Sequence, residues 1–232
     1  MKTPRALALA FAAALVALSA AQAADAPKGR KAHAEAPKVE GLPGVFYDDA
    51  YVIGSPKAKV TIVEYASPVC PHCAHFDAEM FPRIKAKYID TGLARFEFRE
   101  MLTAPEELAA SALIVARCTG KDHYFAVIEA FFRAQPDMAS GRPGTGPVDT
   151  LSRLARENGA DSARFQACLS DPHAVERLNA RIDHALNVDK VNSTPTVFVN
   201  GTKVDPGLSE WSIEKIDAVV GPALKASGTK GR

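Results

Sequence analysis

The stretch VEYASPVCPHCAHF, residues 63–76, decides how this sequence folds and what chemistry it can carry out. It contains two cysteines, Cys70 and Cys73, with Pro71 and His72 between them. Two thiols at this spacing can bind a metal, form a structural cross-link, or exchange electrons with other thiols. The neighbouring residues and the rest of the chain distinguish between these three uses.

A strand followed by a helix is predicted to place Cys70 at a helix N-terminus. The run KVTIVEYA, residues 59–66, is β-branched with little alternation, which is typical of a strand buried on both faces. Apolar residues recur at helical spacing from Pro71 to about Tyr88, and Pro82 is expected to bend this helix. Because Pro71 suits the first helical position, Cys70 should lie beside the unpaired N–H groups that favour a thiolate.

Redox exchange is the use that this position favours. Cys70 and Cys73 are one helical turn apart, within the Cα separation of about 4.4–6.8 Å that a disulfide requires. A structural zinc site usually needs four ligands, and the sequence has no second C-x2-C or H-x3-H pair. A structural cross-link would close a loop of only four residues and add little stability. Metal binding and cross-linking therefore stand as the less favoured alternatives.

The N-terminus has the layout of a secretory signal peptide over residues 1–23. Lys2 and Arg5 supply positive charge, an apolar run of about 15 residues follows, and the small residues AQAADA provide a cleavage site after Ala23 or Ala24. A transmembrane anchor is the weaker interpretation because the run is short and rich in alanine. Export from the cytosol would place the cysteines where disulfides form and persist.

The charge and length of the chain limit which partners it is expected to bind and how many domains it can form. The chain has 28 basic and 27 acidic residues, and removal of Lys2 and Arg5 leaves a net charge of −1. This balance gives no electrostatic argument for binding nucleic acid or an anionic membrane. About 209 residues would remain after cleavage, enough for one domain or one domain with an insertion.

The order of predicted elements indicates an α/β sheet domain interrupted by helices. Strands are expected near 51–53 and 94–99, helices fill about 104–188 around a Gly- and Pro-rich loop at 135–148, and Asn200-Gly201 marks a type I′ hairpin. A last helix follows, with Ser209 as its N-cap. The domain should span residues 45–226, between flexible segments at 24–44 and 227–232.

These features together resemble the DsbA-like thiol:disulfide oxidoreductases, periplasmic proteins with a thioredoxin fold and an inserted helical subdomain. The resemblance rests on C-P-H-C after a strand, the long helical stretch, and STPTVFVNG, and it runs from about Asp48 to Leu224. It implies that Cys70 is the nucleophile and Cys73 the resolving thiol, with Pro71 and His72 tuning the pair.

Three further residues gain roles from the same resemblance. Thr194 and Pro195 match the family's cis-proline loop, which packs beside the active site and receives the substrate chain. Glu64, six residues before Cys70, matches an acidic residue buried beneath the disulfide. We also expect His72 to donate a hydrogen bond or positive charge towards the Cys70 sulfur.

The function implied is that of a monomeric dithiol oxidase without metal or diffusible cofactor. Its substrates would be unfolded exported proteins with free cysteines, and a DsbB-like membrane quinone reductase would reoxidise it. One alternative is an isomerase or reductase of the DsbC or ScsC type, although residues 24–44 look too short for the oligomerisation segment those relatives need. A metal-handling protein using Cys70 and Cys73 is the more distant alternative.

The remaining cysteines, Cys118 and Cys168, are predicted to form a structural disulfide. Both fall on predicted helices with apolar neighbours, and an oxidising compartment favours joining two such thiols. The alternative is a pair of free core cysteines that pack as small apolar residues.

Overall fold

The computed structural model describes residues 42–43, 45, 50–207 and 211–228. The predicted signal peptide lies outside this range, as do most of the segments 24–44 and 227–232. Contacts group Glu40–Arg232 as one compact unit and separate Met1–Val39, which is not described, as another. Leu42, placed in the lead-in by the sequence, packs against the core, and the Pro43 carbonyl accepts a hydrogen bond from Arg164.

A five-stranded mixed sheet forms the centre of the described unit, in the order β1-β3-β2-β4-β5. β2 and β3 are parallel and the other neighbours are antiparallel. The central strand β2 is buried along almost its whole length, which explains its lack of alternation. The strands are β1 (Tyr51–Ile53), β2 (Val60–Ala66), β3 (Ala94–Glu100), β4 (Thr196–Val199) and β5 (Thr202–Lys203).

The crossover from β2 to β3 is helical but not continuous. The sequence predicts one helix bent at Pro82, whereas the structure has α1 (Pro71–Glu79), α2 (Phe81–Ile84) and a π-helical turn (Lys85–Ile89). Because proline has no N–H and its ring clashes with the preceding turn, α1 ends at Glu79, three residues before Pro82. The break lets α1 and α2 present Phe76, Phe81 and Ile84 to one core.

Helices α3 to α7 make up the predicted insertion. They are α3 (Glu106–Cys118), α4 (Tyr124–Ala139), α5 (Pro147–Glu157), α6 (Ser162–Leu169) and α7 (Pro172–Asn187). The expected loop at 135–148 is shorter than predicted because α4 continues through Pro136. That proline removes only its own backbone donor, close to the end of a helix whose buried face already packs with Phe131 and Phe132.

The C-terminal elements close the sheet. Asn200 and Gly201 both have positive φ, at 45° and 82°, as a type I′ hairpin requires. The last helix, α8 (Ile213–Ala226), begins with Ser212 as N-cap rather than the predicted Ser209, which lies outside the described residues. Trp211 therefore precedes α8, where its ring packs edge-on against Phe76 at 5.2 Å between centroids.

The two faces of the sheet differ in how they are covered. Alternate residues of β2, including Ile62 and Ala66, belong to the large core beneath α1 and the insertion. Val63 and Tyr65 point to the other face and belong to a small cluster with α7. Glu64, which lies between Val63 and Tyr65, consequently faces the large core.

Of the described helices, none is long and apolar enough to cross a membrane.

Candidate active site

Cys70 lies where β2 has ended and α1 begins, as the N-cap of that helix. Its extended backbone and Pro71 at the first helical position set the helix start. The Cys73 backbone N–H donates to the Cys70 sulfur at 3.4 Å. The N-cap role, which oxygen usually fills, is thus taken by a sulfur that gains negative charge when it ionises.

Several donors stabilise the Cys70 thiolate and lower its pKa to about 5. The largest contribution is a hydrogen bond from the Cys73 side chain, followed by one from the Thr194 side chain and by the backbone N–H groups of Cys73 and His72, while burial opposes them. The Cys70 residue is only 5% exposed. Hydrogen bonds therefore outweigh desolvation at this position.

Cys73 has the opposite electrostatic environment one turn further along α1. It is fully buried, and burial, its hydrogen bond to Cys70 and the negative charge of Glu64 all raise its pKa. The two thiols are free in this structure. The pair is therefore asymmetric, with a thiol that ionises readily beside one that keeps its proton.

Glu64 places a carboxyl group in the core beneath the two cysteines. It is 3% exposed, and its Oε1 atom has no hydrogen-bond partner among the described residues. Burial, then the negative charges of Asp77 and Cys70, raise its pKa well above the usual range. A neutral carboxyl at this position can donate a proton and a carboxylate can accept one.

The segment before β4 brings Thr194 to the cysteine pair from the far end of the chain. The Cys70 sulfur is 3.6 Å from the Thr194 carbonyl oxygen. The Thr194-Pro195 peptide bond is cis. β4 pairs with β2 directly afterwards, with Thr196 opposite Tyr65. This pairing delivers Thr194 and Pro195 to the end of the strand that carries the active site.

Pro71 and His72 are both exposed. His72 acts on the Cys70 sulfur through its backbone N–H, and a role for its imidazole stays a prediction. No three His, Cys, Asp or Glu side chains of the described residues are grouped as a metal site would need.

Two residues that the sequence analysis missed also belong to this region. The Gln135 amide on α4 donates to the carbonyl oxygens of Pro68 and Cys70, at 2.8 and 3.2 Å. Asp77, whose pKa is raised to about 7 by burial and by Glu129, lies one turn after Cys73 on α1. Helical spacing could have indicated Asp77, whereas no sequence signal links Gln135 to a loop 65 residues away.

Cys118 and Cys168 lie apart from this site, at the ends of α3 and α6. The structure joins them in a disulfide with a Cα separation of 6.1 Å. Both are 1% exposed. Arg164 of α6 donates to the Cys118 carbonyl oxygen at 3.0 and 2.9 Å, so the two helices are also joined by hydrogen bonds.

Comparison with known proteins identifies the family. A family profile described as thioredoxin matches residues 47–218. The "Putative protein-disulfide oxidoreductase" of Rickettsia bellii is 32% identical over 179 residues, which cover 77% of this chain and 66% of the relative. The chain thus spans just under two thirds of that protein's length. Disulfide bond formation protein D of Bacillus subtilis is 24% identical over 175 residues, covering 75% of this chain and 74% of that protein.

A solved structure supports the same assignment at the level of the fold. The crystal structure of Wolbachia pipientis alpha-DsbA1 superposes with a TM-score of 0.65 at 24% sequence identity, covering 80% of this chain and 96% of that one. The predicted α/β fold with an inserted helical subdomain is confirmed. The chain therefore belongs to the thioredoxin family, and within it resembles the DsbA-like protein-disulfide oxidoreductases.

Proposed function

We propose that the protein is a thiol:disulfide oxidoreductase of the periplasm that introduces disulfide bonds into exported proteins. The observation that carries this proposal is the contrast between Cys70, whose pKa is lowered to about 5, and Cys73, whose pKa is raised. A stabilised thiolate favours the reduced protein, and a protein that prefers to be reduced oxidises its partners.

The reaction begins with the Cys70–Cys73 disulfide. A substrate thiolate attacks the Cys70 sulfur, a new S–S bond forms between substrate and Cys70, and Cys73 leaves with the electron pair. The buried Cys73 takes a proton as it leaves, because its environment disfavours the thiolate. Glu64, a buried carboxyl group whose pKa is raised, is the group we propose as the donor of that proton.

The second step releases the oxidised substrate. A second substrate thiolate attacks the substrate sulfur of the mixed disulfide, and Cys70 leaves as a thiolate. The N–H groups of Cys73 and His72 and the Thr194 side chain stabilise this leaving group. The substrate has lost two electrons, and the protein holds them as the Cys70 thiolate and the Cys73 thiol.

Substrate and partners follow from the resemblance. We propose that unfolded proteins with free cysteines are the substrates, that Thr194 and Pro195 receive the substrate chain, and that a DsbB-like membrane quinone reductase restores the disulfide. The reaction as written needs no metal or diffusible cofactor, since each electron pair passes between sulfur atoms.

Equilibration with glutathione tests the proposal. We expect a strongly oxidising reduction potential near about −120 mV, the value for DsbA, rather than about −270 mV, the value for thioredoxin. The purified protein should also oxidise a reduced, unfolded protein with an even number of cysteines, and the Cys70→Ser variant should not. A potential near thioredoxin's would support a reductase instead. Stoichiometric zinc or copper retained by the cysteine pair through purification would support metal handling.

A further inference from the structure

A polar network on the sheet face opposite the redox pair centres on Asp189. The Tyr65 hydroxyl and the Arg99 guanidinium both donate to its Oδ2 atom, the latter at 3.2 Å. His184 Nε2 lies 3.4 Å from the same oxygen. The Arg99 guanidinium also lies over the Tyr65 ring, 5.4 Å from its centroid. Three structural elements, β2, β3 and α7, thus converge on one carboxylate.

Asp189 stands at the point where the chain leaves α7. The N–H groups of Val188 and Asp189 donate to the His184 carbonyl oxygen at 2.8 and 3.1 Å, and that of Val191 donates to the Ala185 oxygen at 2.9 Å. Lys190 between them has φ 56°, in the left-handed region where a side chain is unfavourable. The Asp189 side chain is what connects this tight reversal to the sheet.

The segment that follows, here called the 189–196 loop, ends opposite the residue that holds its start. Thr196 pairs with Tyr65 in the β2–β4 register, while the Tyr65 hydroxyl donates to Asp189. Within the loop, the Thr196 hydroxyl donates to the Ser193 carbonyl oxygen at 2.8 Å. Backbone and side chain of one β2 residue therefore fix both ends of the loop that carries Thr194.

We propose that Asp189 and Tyr65 are positioning residues, which hold the 189–196 loop so that Thr194 stays in contact with the Cys70 sulfur. The carboxylate and the phenol touch neither sulfur. They act through the backbone between Asp189 and Thr196, and this part of the proposal needs only the thiol chemistry of Cys70. Its effect on substrate exchange rests on the proposed function.

The protonation state of Tyr65 fits this role. Burial and the hydrogen bond to Asp189 raise its pKa to about 12, so the phenol keeps its proton and remains a donor at neutral pH. Arg99 is held in turn by Glu97 at 2.6 Å, which keeps the guanidinium directed along the same face. Tyr65 and Arg99 thus donate to Asp189 as a protonated phenol and a guanidinium cation.

The test compares Asp189→Asn and Tyr65→Phe with Tyr88→Phe. Tyr88 is the matched control because its hydroxyl also donates to an aspartate, Asp217, but joins the π-helical turn to α8. The readout is the Cys70 pKa, taken from the ultraviolet absorbance of the thiolate across a pH titration. We expect it to rise in Asp189→Asn and Tyr65→Phe and to stay at the wild-type value in Tyr88→Phe. A Cys70 pKa that is unchanged in both network variants, or raised equally in Tyr88→Phe, would overturn the proposal.

A double-mutant comparison identifies the route of the effect. In a Thr194→Val background, where the hydroxyl contact to Cys70 is already lost, Asp189→Asn should change the Cys70 pKa much less than it does in the wild type. Equal effects in both backgrounds would show that Asp189 does not act through Thr194. Because these titrations need no client protein, they can fail or succeed whatever the outcome of the oxidase assay.

Substrate exchange provides a second readout. If the proposed oxidase function holds, kcat/KM for oxidation of a reduced peptide dithiol should fall by on the order of 10- to 100-fold in Asp189→Asn, the cost of displacing a positioned group. The Tyr88→Phe control should retain wild-type kcat/KM. An equal loss of kcat/KM in Tyr88→Phe would show that the Asp189 network affects exchange only through the general stability of the protein.

Discussion

The Cys70 sulfur lies 3.6 Å from the Thr194 carbonyl oxygen, although 124 residues separate the two in the chain. One partner starts a helix after β2 and the other precedes β4, and the pairing of these two strands brings them together. The Thr194 side chain from this distant loop and the N–H groups of the local helix start both stabilise the thiolate. Its pKa should respond to changes in either.

The redox state is expected to change the stability of the protein. The folded pKa of Cys70, about 5, is below the value of about 8.5 for a free thiol. The thiolate therefore stabilises the folded reduced form fully above the free-thiol pKa, and this contribution is lost as pH falls through the folded pKa. At pH 7 this contribution is about 3 kcal/mol, because pH 7 lies about two units above the folded pKa and each unit is worth about 1.36 kcal/mol.

Thermal unfolding of the two redox forms checks this prediction. The reduced protein should unfold at a higher temperature than the oxidised protein at pH 7, and the difference should shrink towards pH 4. Alkylation of Cys70 should persist well below pH 7 on the same grounds. An alkylation rate that follows a free thiol would contradict the stabilised thiolate. Under redox conditions that leave the Cys118–Cys168 disulfide intact, the Cys70→Ala, Cys73→Ala double variant should show no difference in unfolding temperature.

Glu64→Gln should stabilise the protein while slowing its chemistry. A carboxyl group buried with an unsatisfied oxygen costs stability, and because its pKa is raised, this cost grows as pH rises above the ordinary glutamate range. We expect a gain of about 1–2 kcal/mol that is larger at pH 8 than at pH 4. Exchange of the mixed disulfide should be slower, since Cys73 loses its proton donor and acceptor.

Urea unfolding at several pH values and stopped-flow thiol exchange measure the two effects of Glu64→Gln. Glu79→Gln is the control, because Glu79 is exposed on the same helix as the cysteines. If the free energy of unfolding of Glu64→Gln depends on pH in the same way as that of the wild type, the carboxyl is not titrating in the core. If exchange rates match the wild type across pH, Glu64 carries no proton for the pair.

Replacing Cys118 and Cys168 by alanine should destabilise the insertion. Their disulfide closes a sequence separation of 50 residues, for which loop-closure entropy gives about 4 kcal/mol. Non-reducing peptide mapping of the Cys70→Ser, Cys73→Ser variant should recover the Cys118–Cys168 cross-linked peptide. Two free thiols there, or an alanine variant as stable as the oxidised parent, would contradict the structural disulfide.

Glu100→Gln should be among the most destabilising single changes in the protein. Glu100 ends β3 and accepts hydrogen bonds from Arg117 at 2.6 Å, from Tyr124 at 2.9 Å and from Arg181. Removing the negative charge leaves the buried Arg117 guanidinium and the half-buried Arg181 guanidinium without a counter-charge, at a cost of about 3–5 kcal/mol. Glu157→Gln, which breaks an exposed pair with Arg153, should cost about 0.5 kcal/mol or less. Denaturant unfolding of both variants tests the difference, and equal costs would show that the Glu100 cluster contributes no more than a surface pair.

Local patterns predicted the fold well. The β-branched run of β2, the proline after Cys70 and Asn200-Gly201 each indicate a backbone conformation by themselves, and the structure has all three. Helix ends were less predictable. α4 runs on through Pro136 because tertiary packing of its buried face outweighs one missing hydrogen bond.

The surroundings of the site could not be predicted because they depend on register. Whether Tyr65 meets Thr196, and so whether its hydroxyl reaches Asp189, is fixed by strand pairing and not by any local pattern. The same holds for Gln135, whose amide reaches the active-site loop from another helix. Glu64 was expected near the cysteines only through the family resemblance.

The placement of β4 has a consequence for how the protein matures. A growing chain releases β2 and α1 more than a hundred residues before it releases Thr194, because β4 comes late in the chain. Chains fold from the N-terminus as they emerge, so Cys70 and Cys73 meet their surroundings at first without the distant donor. An unfinished chain therefore holds the cysteine pair but lacks its tuned acidity. The Cys70 thiol should therefore reach its full acidity only after the segment that carries Thr194 has joined the sheet.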